Sequence, residues 1–156
     1  MINKRQLEIG LLGLFVGLLV YLIGRPPNTY FVYNIGINWG FINSLPKISG
    51  LVWDSLPSFL HVFSFILITA AIQSCGKKGC FIICIFWLLI ECTFELGQKF
   101  DTLITKLLPD WFLGVPFLEA AHDYFNLGTF DYIDLTAIII GAVIAYFVVL
   151  TTMERR

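Results

Sequence analysis

Residues 86–100 read FWLLIECTFELGQKF, and the placing of this stretch decides the fold. It closes a run that starts near Gly79 and stays almost wholly apolar to Ile90. Glu91, Glu95 and Gln98 then follow at i, i+4 and i+7, a spacing that lines one face of an α-helix. An acid at the centre of a membrane helix costs roughly 2.5–3.5 kcal/mol, and less near the interface. Chains keep such groups where they meet polar partners or line a wet pocket. The stretch predicts a membrane span whose last turns face into a bundle.

The rest of the chain supports a membrane setting. Of 156 residues, 58% are hydrophobic and 13% charged, against about a quarter charged in ordinary globular domains. So little polar surface implies an exterior solvated by lipid. The net charge of -1 supplies no basic patch for nucleic acid. No zinc-type spacing, phosphate loop or serine nucleophile elbow is present, so neither a metal nor a cofactor is expected. Cys75, Cys80, Cys84 and Cys92 lie in or beside apolar runs and read as small hydrophobes between helices.

About 20 apolar residues cross ~30 Å of hydrocarbon. Four runs qualify, at about 7–24, 57–74, 79–98 and 132–152. The expectation is all-α: a single membrane domain, 1–156, folded as a polytopic four-helix bundle. Lys4 and Arg5 ahead of the first run would also suit a signal peptide. Ile23-Gly24-Arg25-Pro26-Pro27 is a poor cleavage site, which favours an uncleaved anchor. Lys4, Arg5, Lys77, Lys78, Arg155 and Arg156 fall in short segments on one side. The positive-inside rule then puts both termini in the cytoplasm. Loops 25–56 and 99–130 lie outside and are dense in aromatics, as suits the headgroup belt, with short interfacial helices such as 117–125. Gly10, Gly13 and Gly17 form a small-residue stripe on the first span.

The polar residues converge in depth. At 1.5 Å per residue, Glu95 lies about 5 Å below Gln98 and Glu91 about 10 Å below. A second span starting at Pro57 puts His61 one turn in, and a fourth starting near Tyr132 does the same for Asp134, with Asp131 above it. Asp131, Asp134, Ile138 and Gly141 share one helical face. Depth favours Glu95 as the partner of His61 and leaves Glu91 without one. Singly, each residue has a plain structural use: His61 bonding a neighbouring helix, Asp134 capping, Gln98 reaching headgroups. Together they point to a site in the outer leaflet. His122, in an aromatic loop, reads as a surface residue, and Arg25 as a headgroup anchor.

At these residues the chain resembles the VanZ-like family of small bacterial membrane proteins. The resemblance rests on Leu56-Pro57-Ser58-Phe59-Leu60-His61, Glu95-Leu96-Gly97-Gln98, and Gly128-Thr129-Phe130-Asp131-Tyr132-Ile133-Asp134 with Gly141. It covers about residues 56–145. Ile138 stands where the family has Asn, and the connection from Gln98 to Asp134 is longer than the family's. The resemblance implies a bacterial plasma-membrane or inner-membrane protein with an envelope role linked to teicoplanin-type glycopeptide resistance, without an established reaction.

Two functions of different class follow. In one, Gln98, Asp131, Glu91 and Gly141 join His61, Glu95 and Asp134 in binding a lipid headgroup or lipid-linked precursor. In the other, His61 with Glu95 or Asp134 is a general acid–base pair acting on a lipid phosphate or ester. A metal on His61, Glu95 and Asp134 is a weaker variant, because one imidazole with hard oxygens is not diagnostic. A third use, a polar knot fastening the bundle, gives modest glue at around 0.6 kcal/mol per contact. Membrane lipids are the expected partners, and self-association into a homo-oligomer is compatible with the chain.

Overall fold

Long apolar segments in lipid must satisfy every backbone N–H and C=O internally, which a helix does. The computed structural model describes residues 2–24, 50–109, 115, 125 and 128–153. Five helices and no strand occur among them: α1 Lys4–Gly24, α2 Leu51–Gln73, α3 Lys77–Lys99, α4 Asp101–Leu107 and α5 Tyr132–Thr152. All but α4 are long and apolar enough to cross a membrane. The fold is an all-α polytopic bundle, as the hydropathy predicts.

The helix limits depart from expectation at one instructive place. α2 begins at Leu51, so Pro57 lies inside it rather than at its start. Proline cannot donate to the carbonyl four residues back, and membrane helices absorb that loss where neighbours compensate. α3 extends from Lys77 to Lys99 rather than 79–98, and α5 matches 132–152. α4 supplies a short helix in the second loop, with Leu103 and Leu107 exposed. The aromatic segments 25–49 and 110–114, the stretch 117–124, His122, Arg25, Arg155 and Arg156 fall outside the described residues.

α2 is the central helix and packs against α1, α3 and α5. Val62, Ile66, Leu67 and Ala70 meet Cys80, Ile83 and Cys84 of α3 and Ile138, Ala142, Ala145 and Val149 of α5. Two of the cysteines are thus small core hydrophobes, as read from sequence. Close approach is made by residues without bulk. A Cβ on Gly10 would stand 2.8 Å from Ile68 Cγ1, and one on Gly13 2.7 Å from Ser64 Oγ. The glycine stripe of α1 therefore faces α2. On α5, a Cβ at Gly141 would lie 2.7 Å from the backbone oxygen of Phe59.

A polar tie closes the Lys77 end of the bundle. Gln6 is 2% exposed, and its amide donates to the Val149 carbonyl at 3.2 Å and to Thr152 Oγ1 at 3.1 Å. Asn3 donates from its side chain to the Thr152 carbonyl and from its backbone to that of Ala71. These bonds serve carbonyls in the last turns of α2 and α5, where the helix itself supplies no further backbone N–H. They also bring the start of α1 to the ends of α2 and α5.

Candidate functional site

His61 lies ten residues into α2, about 15 Å along its axis, and Glu91 lies eight residues before the end of α3, about 12 Å. The antiparallel helices therefore bring the two level. His61 Nδ1 is 3.0 Å from Glu91 Oε1. The imidazole side chain is 49% exposed and the carboxylate 11%. The expected partnership of His61 with Glu95 is overturned, and so is the expectation that Glu91 has no partner. The cause is the early start of α2: counted from Leu51 rather than Pro57, His61 is deeper by six residues, about 9 Å.

Below this pair runs a seam of ring contacts. His61, Phe65 and Thr69 follow at i, i+4 and i+8 on α2, facing Trp87 and Glu91 on α3. His61 meets Phe65 edge-on with centroids 4.5 Å apart, and Phe65 stacks on Trp87 at 4.6 Å. The Trp87 indole N–H donates to Thr69 Oγ1 at 2.9 Å. The rings fix the imidazole from one side while Glu91 fixes it from the other. Phe65, Thr69 and Trp87 were missed as site residues because none carries charge. Their four-residue spacing in register with His61 and Glu91 was the available signal.

Glu95 has a different role. It is 5% exposed, and its Oε1 accepts the backbone N–H of Asp131 at 2.9 Å. Asp131 is the N-cap of α5, and its Oδ1 accepts from Ile133 N–H at 2.9 Å. Two donors at the start of α5, where helix geometry supplies no acceptor, are thus served by carboxylates. The capping residue is Asp131 rather than Asp134, which lies half-buried in the first turn. Lys99 strengthens the same junction by donating to Tyr132 Oη at 3.1 Å, with its ammonium 5.1 Å from the centroid of Phe130. Gln98 is half-buried beside it.

Gly141 and Ile138 belong to packing. Gly141 admits the α2 backbone, and Ile138 is buried in the core against that helix. The expected single cluster therefore divides into an imidazole–carboxylate pair on the α2–α3 seam and a capping junction between α3 and α5. Among the described residues, no group of three or more His, Cys, Asp or Glu side chains is placed to hold a metal ion. An apolar groove of about 270 Å³ between α2 and α5 is lined by Leu51, Val52, Phe59, Ile133 and Ile140. It opens on another face of α2, since Phe59 and His61 are two residues apart and about 200° around the helix.

Chemically, a carboxylate on Nδ1 makes that nitrogen the N–H and leaves Nε2 to deal with a ligand. Fold and site together define a multi-pass α-helical membrane protein with an oriented, half-exposed imidazole. No family model matches the chain, and neither a curated protein nor a solved structure matches it.

Proposed function

We propose that this is a VanZ-like envelope protein of a bacterial plasma or inner membrane whose polar site binds a lipid headgroup or lipid-linked precursor. In this reading both termini are cytoplasmic, the Asp131 end faces outward, and binding underlies a contribution to teicoplanin-type glycopeptide resistance. The observation that carries the binding reading is the His61–Glu91 pair at 3.0 Å, with its imidazole half-exposed on the side of a membrane bundle. A lipid diffusing in the bilayer reaches such a face without entering the helix core. With Nδ1 held by Glu91, Nε2 is the ring nitrogen left for a headgroup. It donates to a phosphate oxygen when the ring carries both protons and accepts from a hydroxyl or amine when the ring is neutral. The test is mass spectrometry of lipids retained after purification in mild detergent. Wild type should keep a phosphate-bearing lipid, and His61→Ala should reduce retention by about tenfold or more, the weight of one charge-assisted hydrogen bond. Equal retention by both proteins would overturn the reading.

A membrane enzyme is the second reading, and the same pair favours it through a separate feature. A largely covered carboxylate orienting a more exposed imidazole is the arrangement of a general base. Its reaction would be water attack on a lipid phosphate or ester, with Nε2 taking the proton. Turnover of a retained lipid by wild type, lost in His61→Ala, would select this reading over simple binding.

A further inference from the structure

The turn between α2 and α3 holds chemistry that the polar site does not use. From this turn into the first turn of α3 the chain reads Cys75-Gly76-Lys77-Lys78-Gly79-Cys80, and both thiols are free. Their sulfurs lie 2.8 Å apart, and Cys80 Sγ also donates to the Cys75 carbonyl at 3.4 Å. Gly79 permits this approach: a Cβ there would stand 2.7 Å from Cys75 Cβ and 3.4 Å from its sulfur. Cys75 is half-buried at the end of the bundle, whereas Cys80 is buried. Lys77 and Lys78 beside them are exposed.

We propose that Cys75 and Cys80 form a redox-active dithiol that closes to an intramolecular disulfide by exchange with an anionic low-molecular-weight disulfide of the glutathione type. The geometry favours closure over metal capture. Zinc at about 2.3 Å from each sulfur would require the two thiols to separate, whereas a disulfide needs them to approach to about 2.05 Å. The Cys75 thiolate, the accessible one, attacks a sulfur of the small disulfide and expels one small thiolate. The sulfur of Cys80 then attacks Cys75 and expels the second small thiolate, which leaves with the Cys80 proton. The two protein thiols are oxidised by two electrons, and one small disulfide is reduced to two thiols. Lys77 and Lys78, exposed beside Cys75, attract the carboxylates of the reagent. The product staples the end of α2 to the first turn of α3.

The experiment equilibrates the full-length protein in detergent with mixtures of reduced and oxidised glutathione, then alkylates and maps disulfides by peptide mass spectrometry. Prearranged thiols should close with an equilibrium constant at least about tenfold above that of the same chain unfolded in denaturant. Cys80→Ser should stall as a glutathione adduct on Cys75. Cys75→Ser should take up little glutathione at the buried Cys80, and Cys84→Ser should close as wild type does. Closure no better in the folded protein than in the unfolded chain would overturn the proposal. So would a disulfide joining Cys80 to Cys84 or Cys92, or one joining two chains.

Discussion

His61, Glu91 and Glu95 are three ionisable groups on two helices, and their different surroundings give them different work. Glu91 faces an imidazole at 3.0 Å, whereas Glu95 faces a backbone N–H at 2.9 Å. A Gln at 95 still offers an oxygen to Asp131, so Glu95→Gln should cost about 1 kcal/mol or less, while Glu95→Leu strands the donor and should cost about 1–3 kcal/mol. Thermal unfolding in detergent measures both. Glu91→Gln should leave that transition nearly unchanged and lower lipid retention instead, because an amide can turn either its oxygen or its NH2 towards His61 and so orients the ring less firmly. If Glu95→Gln abolished retention while Glu91→Gln did not, the assignment of roles would be reversed. The sequence made these residues visible as costly groups in an apolar run. It did not pair them, because pairing depends on where α2 starts, and Pro57 is a plausible first residue that the chain does not use as one.

At the scale of elements, four helices were legible because lipid demands long uninterrupted apolar runs. Which faces meet was legible only in part. Gly10, Gly13 and Gly17 were readable as a stripe, and the stripe does face a helix. That its partner is α2, and that α2 stands at the centre, depends on contacts scattered over all four spans. The ties made by Asn3 and Gln6 were unreadable for the same reason, since their partners in α5 are more than a hundred residues away. The glycines are not equivalent. A methyl at 141 would meet backbone, at 2.7 Å from the Phe59 oxygen, which moves only if a helix moves. A methyl at 13 would meet the hydroxyl of Ser64, which can rotate away. Gly141→Ala should therefore destabilise by about 1–3 kcal/mol, as overpacking does. Gly13→Ala should cost less than about 1 kcal/mol, since alanine's better helix propensity offsets part of the contact. Unfolding of the two variants by denaturant in micelles ranks them, and the reverse order would mean that α1, not α5, is the rigidly seated helix.

For the molecule as a whole, the unequal ends of the bundle carry the argument about orientation. The start of α1, with Lys4 and Arg5, is tied to the ends of α2 and α5 by Asn3 and Gln6. The start of α3, with Lys77 and Lys78, follows α2 by a short turn and so lies at the same end. At the opposite end Lys99 is engaged with Tyr132 and Phe130, and Lys106 is offset within α4 by Asp101. Short basic segments resist translocation, so the orientation proposed above puts the Lys77 end in the cytoplasm and α4 outside. In a background with the native cysteines replaced, Lys106→Cys should react with a membrane-impermeant maleimide in intact cells. Lys77→Cys should react only after the membrane is opened. Both side chains are exposed in the fold, so protection would report the bilayer rather than burial. Labelling of Lys77→Cys in intact cells, with Lys106→Cys protected, would invert the molecule. The His61–Glu91 pair would then face lipids of the cytoplasmic leaflet, and the Cys75–Cys80 turn would stand in the more oxidising compartment, where a closed disulfide is the resting state.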